Sequence, residues 1–95
     1  MTSYEQSLEL LNGTHTFPDH VIVKAIGLNQ NEFELRFLRI ITTHLQLSED
    51  LPFTTRMSQS NRHVAVTVEP LFQRAEDVLS LYEAIRGLED LVMVM

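Results

Sequence analysis

The chain contains no cysteine and no tryptophan, and only seven of its 95 residues are Lys or Arg. Without cysteine there is no disulfide framework, no thiolate nucleophile and no thiolate metal ligand, so the fold must rest on its apolar core. The basic residues are outnumbered by thirteen Asp and Glu, for a formal net charge of -6. That balance repels phosphate backbones and gives no electrostatic pull toward anionic lipid. Neither nucleic acid nor a membrane is expected as a partner. Uninterrupted apolar runs stay far below the roughly 20 residues that span a bilayer. The opening Met1-Thr2-Ser3-Tyr4-Glu5 lacks the basic stretch and apolar run of a signal peptide, which makes a cytoplasmic protein the expectation. No internal repeat or low-complexity stretch appears.

What is present suits one compact domain, since 44% of the residues are hydrophobic and a chain of this length buries roughly two-thirds of its unfolded surface. Residues 1–16 are polar apart from Tyr4 and the Leu8, Leu10, Leu11 cluster, and Asn12-Gly13 is expected to break any helix there, leaving a short docked arm. The domain proper is expected over residues 17–95. His20 to Ile26 is a β-branched run closed by Gly27, and its near-continuous apolarity predicts a central strand. Asn29 followed by Glu32 has the spacing of a capping box. Phe33, Phe37, Ile40, Ile41 and His44 then share one helical stripe as far as about Leu45, with Leu38 and Leu45 on its shoulder.

After a loop through Pro52, Phe53, Thr55 and Met57 alternate with Thr54, Arg56 and Ser58, and Val64, Val66 and Val68 alternate with Ala65, Thr67 and Glu69. The polar turn Gln59 to Arg62 joins them as an antiparallel hairpin. Pro70 suits the first turn of a second helix, in which Leu71, Ala75, Val78, Leu79, Tyr82 and Ile85 repeat up to Gly87. Leu91 to Met95 is a last short strand.

This order predicts an α+β, ferredoxin-like β-α-β-β-α-β sandwich: a four-stranded antiparallel sheet of order 4-1-3-2 with both helices on one face. Val21, Val23, Ala25, Met57, Val64, Val66, Val68 and Met93 are expected to point at Phe37, Ile41, Val78, Leu79 and Tyr82. Ile22, Lys24, Ile26, Ala65, Thr67 and Arg56 would then lie on the bare face, where contact with a partner is expected.

Phe17-Pro18, Lys24, Gly27 and the run Val64-Ala65-Val66-Thr67-Val68 make the chain resemble the YbeD-like family of small uncharacterised bacterial proteins. Leu81-Tyr82-Glu83-Ala84-Ile85 is similar to that family's Leu-Tyr-Glu-Glu-Leu stretch, and the Val-Met-Val ending continues the likeness, which covers about residues 8–95. The segment from Leu47 to Thr55 departs from the pattern. The resemblance implies a ferredoxin-like fold similar to the ACT regulatory domains of amino-acid metabolism, no assigned activity, and no catalytic residues.

Candidate sites are few. His15 and His20 form an H-x4-H spacing in a loop, but zinc sites use tighter or helical pairs, and the topology sets His20 and His63 at opposite ends of the sheet; no metal site is expected. Lys24 stands alone in an apolar strand and Gly27 can supply a positive φ at the strand's exit. An ordinary solvated lysine and a turn glycine are the plainer reading of both. Glu49-Asp50 and Glu89-Asp90 lack an apolar setting that would raise a carboxyl pKa. An enzyme is therefore not expected, nor is a cofactor. RNA-recognition domains of this topology stack bases on aromatics of the open face, where this chain has none.

Two functions of different class remain. One is an interaction module that pairs with itself or a protein partner through its open face or an edge strand. The other is an ACT-like regulator holding a small metabolite, such as an amino acid, at a dimer interface near Gly27 and Asn29 to Asn31. Lys24, Gly27, Asn29, Asn31, Ile22, Ile26 and Thr67 are the contact candidates.

Overall fold

The computed structural model describes residues 2–95. Its elements are α1 (Ser3–Thr14), β1 (Asp19–His20), β2 (Val23–Leu28), α2 (Phe33–His44), β3 (Phe53–Met57), β4 (His63–Val68), β5 (Leu71–Phe72), α3 (Ala75–Arg86) and β6 (Leu91–Val94). The fold is α+β, with a four-stranded antiparallel sheet in the order β3-β4-β2-β6 and a two-stranded ribbon of β1 and β5.

Alternation along β2 and β4 decides which face is covered. Val23, Ala25 and Gly27 are buried against Val68, Val66 and Val64 across the ladder, while Lys24, Ile26, Ala65 and Thr67 between them are half-exposed. Phe33, Phe37 and Ile41 recur every four residues on α2, and Val78, Leu81 and Ile85 recur on α3; all six side chains join the core above that apolar face. Leu91 and Val94 of β6 pack against its margin.

Several expectations are corrected. Residues 3–14 form a helix, and Asn12-Gly13 lies inside its last turn. The hydroxyl of Thr2 accepts from the Glu5 N–H at 3.1 Å, and Leu11 packs on the core. A cap and that packing offset the cost of about 1 kcal/mol that one helical glycine carries. The expected first strand is two strands: Asp19–His20 pairs with Leu71–Phe72, and only Val23–Leu28 joins the main sheet. Gly27 lies within that strand and has no positive φ. The capping box does not form either. Asn31 and Glu32 both adopt left-handed φ values of 53° and 55°, and the Phe33 N–H donates to the Gln30 carbonyl at 3.1 Å, so the chain enters α2 through a turn.

The second expected helix starts at Ala75, since Leu71–Phe72 is consumed by pairing with β1. Phe72 is fully buried while Leu71 is exposed. On α3 it is Leu81 that reaches the core, whereas Leu79 and Tyr82 are half-buried. His44 is exposed on α2 and bonds the Ser80 hydroxyl through Nε2 at 2.8 Å.

Two core assignments fail, each for its own reason. No residue of β3 is buried, and Met57 is 46% exposed, because the helices are centred over β2, β4 and β6 and leave β3 outboard. Met93 is 48% exposed. A register shift between Ile26 and Gly27 sets Met93 opposite Ile26, on the uncovered face.

Candidate functional site

Four strands contribute to the uncovered face in two adjacent rows. Lys24 stands between Thr67 of β4 and Met95, with Thr54 of β3 beyond Thr67. Main-chain bonds hold Met95 there, since its N–H donates to the Lys24 carbonyl at 2.8 Å and its carbonyl accepts from the Lys24 N–H at 3.1 Å. In the next row Ile26 stands between Ala65 and Met93, with Arg56 beyond Ala65. Residues on one sheet face at these separations touch as cross-strand and diagonal neighbours. An apolar strip of Ile26, Ala65, Met93 and Met95 is thereby flanked by the cations Lys24 and Arg56.

The candidate residues divide among four places. Lys24, Ile26 and Thr67 come together on the uncovered face. Ile22 lies in the link between β1 and β2, 60% exposed. Gly27 faces the helices, where a Cβ would fall inside the ring of Phe33; the glycine permits close packing of α2 on the sheet. Asn29 and Asn31 lie in the β2–α2 loop. The Asn29 side-chain amide donates to the Asn61 carbonyl at 3.0 Å, and the Asn31 carbonyl accepts from Arg36 Nε at 2.8 Å.

That loop is closed by an ionic network. Arg36 donates to Asp90 at 2.7 Å and to the Glu89 carbonyl at 3.0 Å, and Gln30 donates to Asp90 at 2.8 Å. Hydrogen bonds from Gln30 and then Arg36 hold the Asp90 carboxyl below its ordinary range against the opposing effect of desolvation. The Arg36 guanidinium also lies 5.9 Å from the centre of the Phe33 ring, at cation–π range. The main-chain N–H groups of Asn29 and Gln30 donate to the Arg62 and Leu28 carbonyls at 2.8 Å each.

Elsewhere the chemistry is sparse. An open groove of about 960 Å³ runs between α1 and α3, lined by Tyr4, His44, Ser80 and Tyr82 among others. His44 and Ser80 meet there, but no described side chain bonds the other ring nitrogen of His44, as an activated nucleophile would need. His15 is bonded to Asp19 at 2.9 Å and His20 to the Glu69 carbonyl at 3.0 Å. Among the described residues no three His, Asp or Glu side chains gather as a metal site requires, and no helix is long and apolar enough to cross a membrane.

Sequence reasoning missed Met93, Met95 and Thr54 on the uncovered face. Alternation from Leu91 would have set Met93 inward, and only the bulge reverses it. A family model described as a protein of unknown function (DUF493) matches residues 13–95. No curated protein matches the chain.

Proposed function

The chain belongs to DUF493, the YbeD-like family of small proteins of unknown function, and we propose that it is a ferredoxin-like protein-interaction module of the cytoplasm, acting through its uncovered sheet face or an edge strand. The observation that carries this reading is the two-row surface of Ile26, Ala65, Met93 and Met95 beside Lys24 and Arg56. A four-stranded sheet with helices on one side presents that surface on rigid elements, as a binding surface requires. A contiguous apolar strip rimmed by charge is the usual composition of a protein contact.

The metabolite-binding reading has less support. It needs free N–H groups at the β2–α2 turn to receive a carboxylate, and in the span Asn29 to Asn31 two of the three, those of Asn29 and Gln30, are already bonded within the chain. The Arg36–Asp90 ion pair also ties that turn to the segment before β6.

The test is affinity capture from native cell extract with the intact chain and with Ile26→Glu. Ile26 is half-exposed on the uncovered face, so the variant is expected to melt within a few degrees of the parent. Loss of a captured protein with Ile26→Glu or with a variant of an edge strand supports the reading. Equal capture by every such variant, together with stabilisation by an amino acid in a thermal-shift screen, would overturn it in favour of the metabolite regulator.

A further inference from the structure

The two edges of the sheet are not equivalent. β6 is short and its pairing with β2 is interrupted by a bulge, a feature that blunts an edge against further pairing. β3 pairs with β4 in unbroken register from Phe53 to Met57 and contains no proline, lysine or bulge. All five of its residues are exposed, with Phe53 at 47%. It has the character of a strand awaiting a neighbour.

Its backbone is specific about that neighbour. The Ser58 N–H donates to the His63 carbonyl at 3.0 Å. By antiparallel alternation Arg56 and Thr54 direct their main-chain groups toward β4, and Phe53, Thr55 and Met57 direct theirs outward. We propose that β3 pairs antiparallel with β3 of a second copy of this chain about a two-fold axis at Thr55, joining two four-stranded sheets edge to edge. This deepens the interaction reading and rests on it, naming the edge and the partner.

Self-pairing at that register uses every outward group. Thr55 faces Thr55 of the second copy, and Phe53 and Met57 each face the other's counterpart, giving two N–H···O=C bonds at each facing pair. Phe53 then packs on Met57 of the second copy, on the side of the sheet that carries the helices. Charge follows the same symmetry. The chain entering β3 carries Glu49 and Asp50, and the strand and the turn leaving it carry Arg56 and Arg62. Antiparallel pairing sets the acidic end of each copy beside the basic end of the other, although each chain has a net charge of -6. An isologous contact of this kind closes as a dimer and does not propagate.

The experiment uses the full chain in light scattering over a wide concentration range, with two cysteine variants read by a short thiol-to-thiol cross-linker. The chain has no native cysteine, so any cross-link reports the introduced residue. The expected result is a mass that doubles with concentration, cross-linking of Thr55→Cys as a dimer, and none for Val92→Cys on the opposite edge. Thr55→Pro removes an outward N–H and no bond to β4, a position where an edge strand tolerates proline. It is expected to abolish the dimer with the far-ultraviolet circular dichroism unchanged. If that variant misfolds, the cysteine variants still decide. A chain that is monomeric throughout with no cross-link at Thr55, or one that cross-links through Val92 alone, overturns the proposal. A monomer that loses capture of another protein on Thr55→Pro also overturns it while leaving the interaction reading intact.

Discussion

Gly27 and Asp90 show how much single residues carry at the junction of sheet and helix. Gly27 admits the ring of Phe33 against β2, so Gly27→Ala is expected to destabilise by about 1–3 kcal/mol through overpacking. Urea denaturation of Gly27→Ala, Phe33→Leu and the double variant checks the cause: the double variant should fall short of the sum of the singles, because both act on one contact. Additive losses would refute it. Asp90 has a folded-state pKa below its unfolded value, owing first to the bond from Gln30 and then to Arg36. The unfolded chain therefore binds its proton more readily. The resulting stabilisation is present above the ordinary carboxylate pKa of about 4 and is lost as pH falls through the lower folded value. Asp90→Asn should flatten the acid limb of a stability-versus-pH curve and leave its shape near neutrality unchanged. Spacing along the chain assigns Asp90 no partner, because Arg36 lies more than fifty positions away.

Elements differ in how firmly they are held. α2 and α3 bury three or more residues each, whereas α1 buries none and rests on the domain through half-buried residues such as Leu11. Local opening is easiest where few apolar contacts are made. Amide hydrogen exchange should therefore find α1 the least protected helix, and equal protection of α1 and α2 would contradict this. The strands divide in the same way. Ile41→Ala under the sheet should cost about 2–5 kcal/mol, whereas Met57→Ala on β3 should stay within about 0.5 kcal/mol for the isolated chain. Thermal melts at low protein concentration test the contrast. Periodicity made α2, β4 and the hairpin legible, since each has one buried face and its apolar residues recur at the matching interval. It misjudged β3, whose alternation of Phe53, Thr55 and Met57 looks like a half-buried strand. Nothing local reveals that no helix extends over it.

For the whole molecule, one core joins the main sheet to the β1–β5 ribbon through Val21 and Phe72. A single cooperative urea transition is expected, with circular dichroism and the fluorescence of Tyr4 on α1 and Tyr82 on α3 coincident; separate midpoints would mean that the helices and the rest of the secondary structure do not unfold as one unit. The sequence by itself determined the order of α2, α3 and the four strands of the main sheet, the buried face of β2 and β4, and the acidic balance of the chain. These are properties of spacing and composition, fixed by the periods of helix and strand before any long-range contact forms. Only the tertiary structure decided that Met93 turns outward, that Leu71–Phe72 pairs with β1 before α3 can begin, that Arg36 closes on Asp90, and that β3 is left open along one edge. Each of these depends on which distant segment arrives beside a residue, and a bulge or a helix offset by one strand width changes the outcome without altering the local pattern.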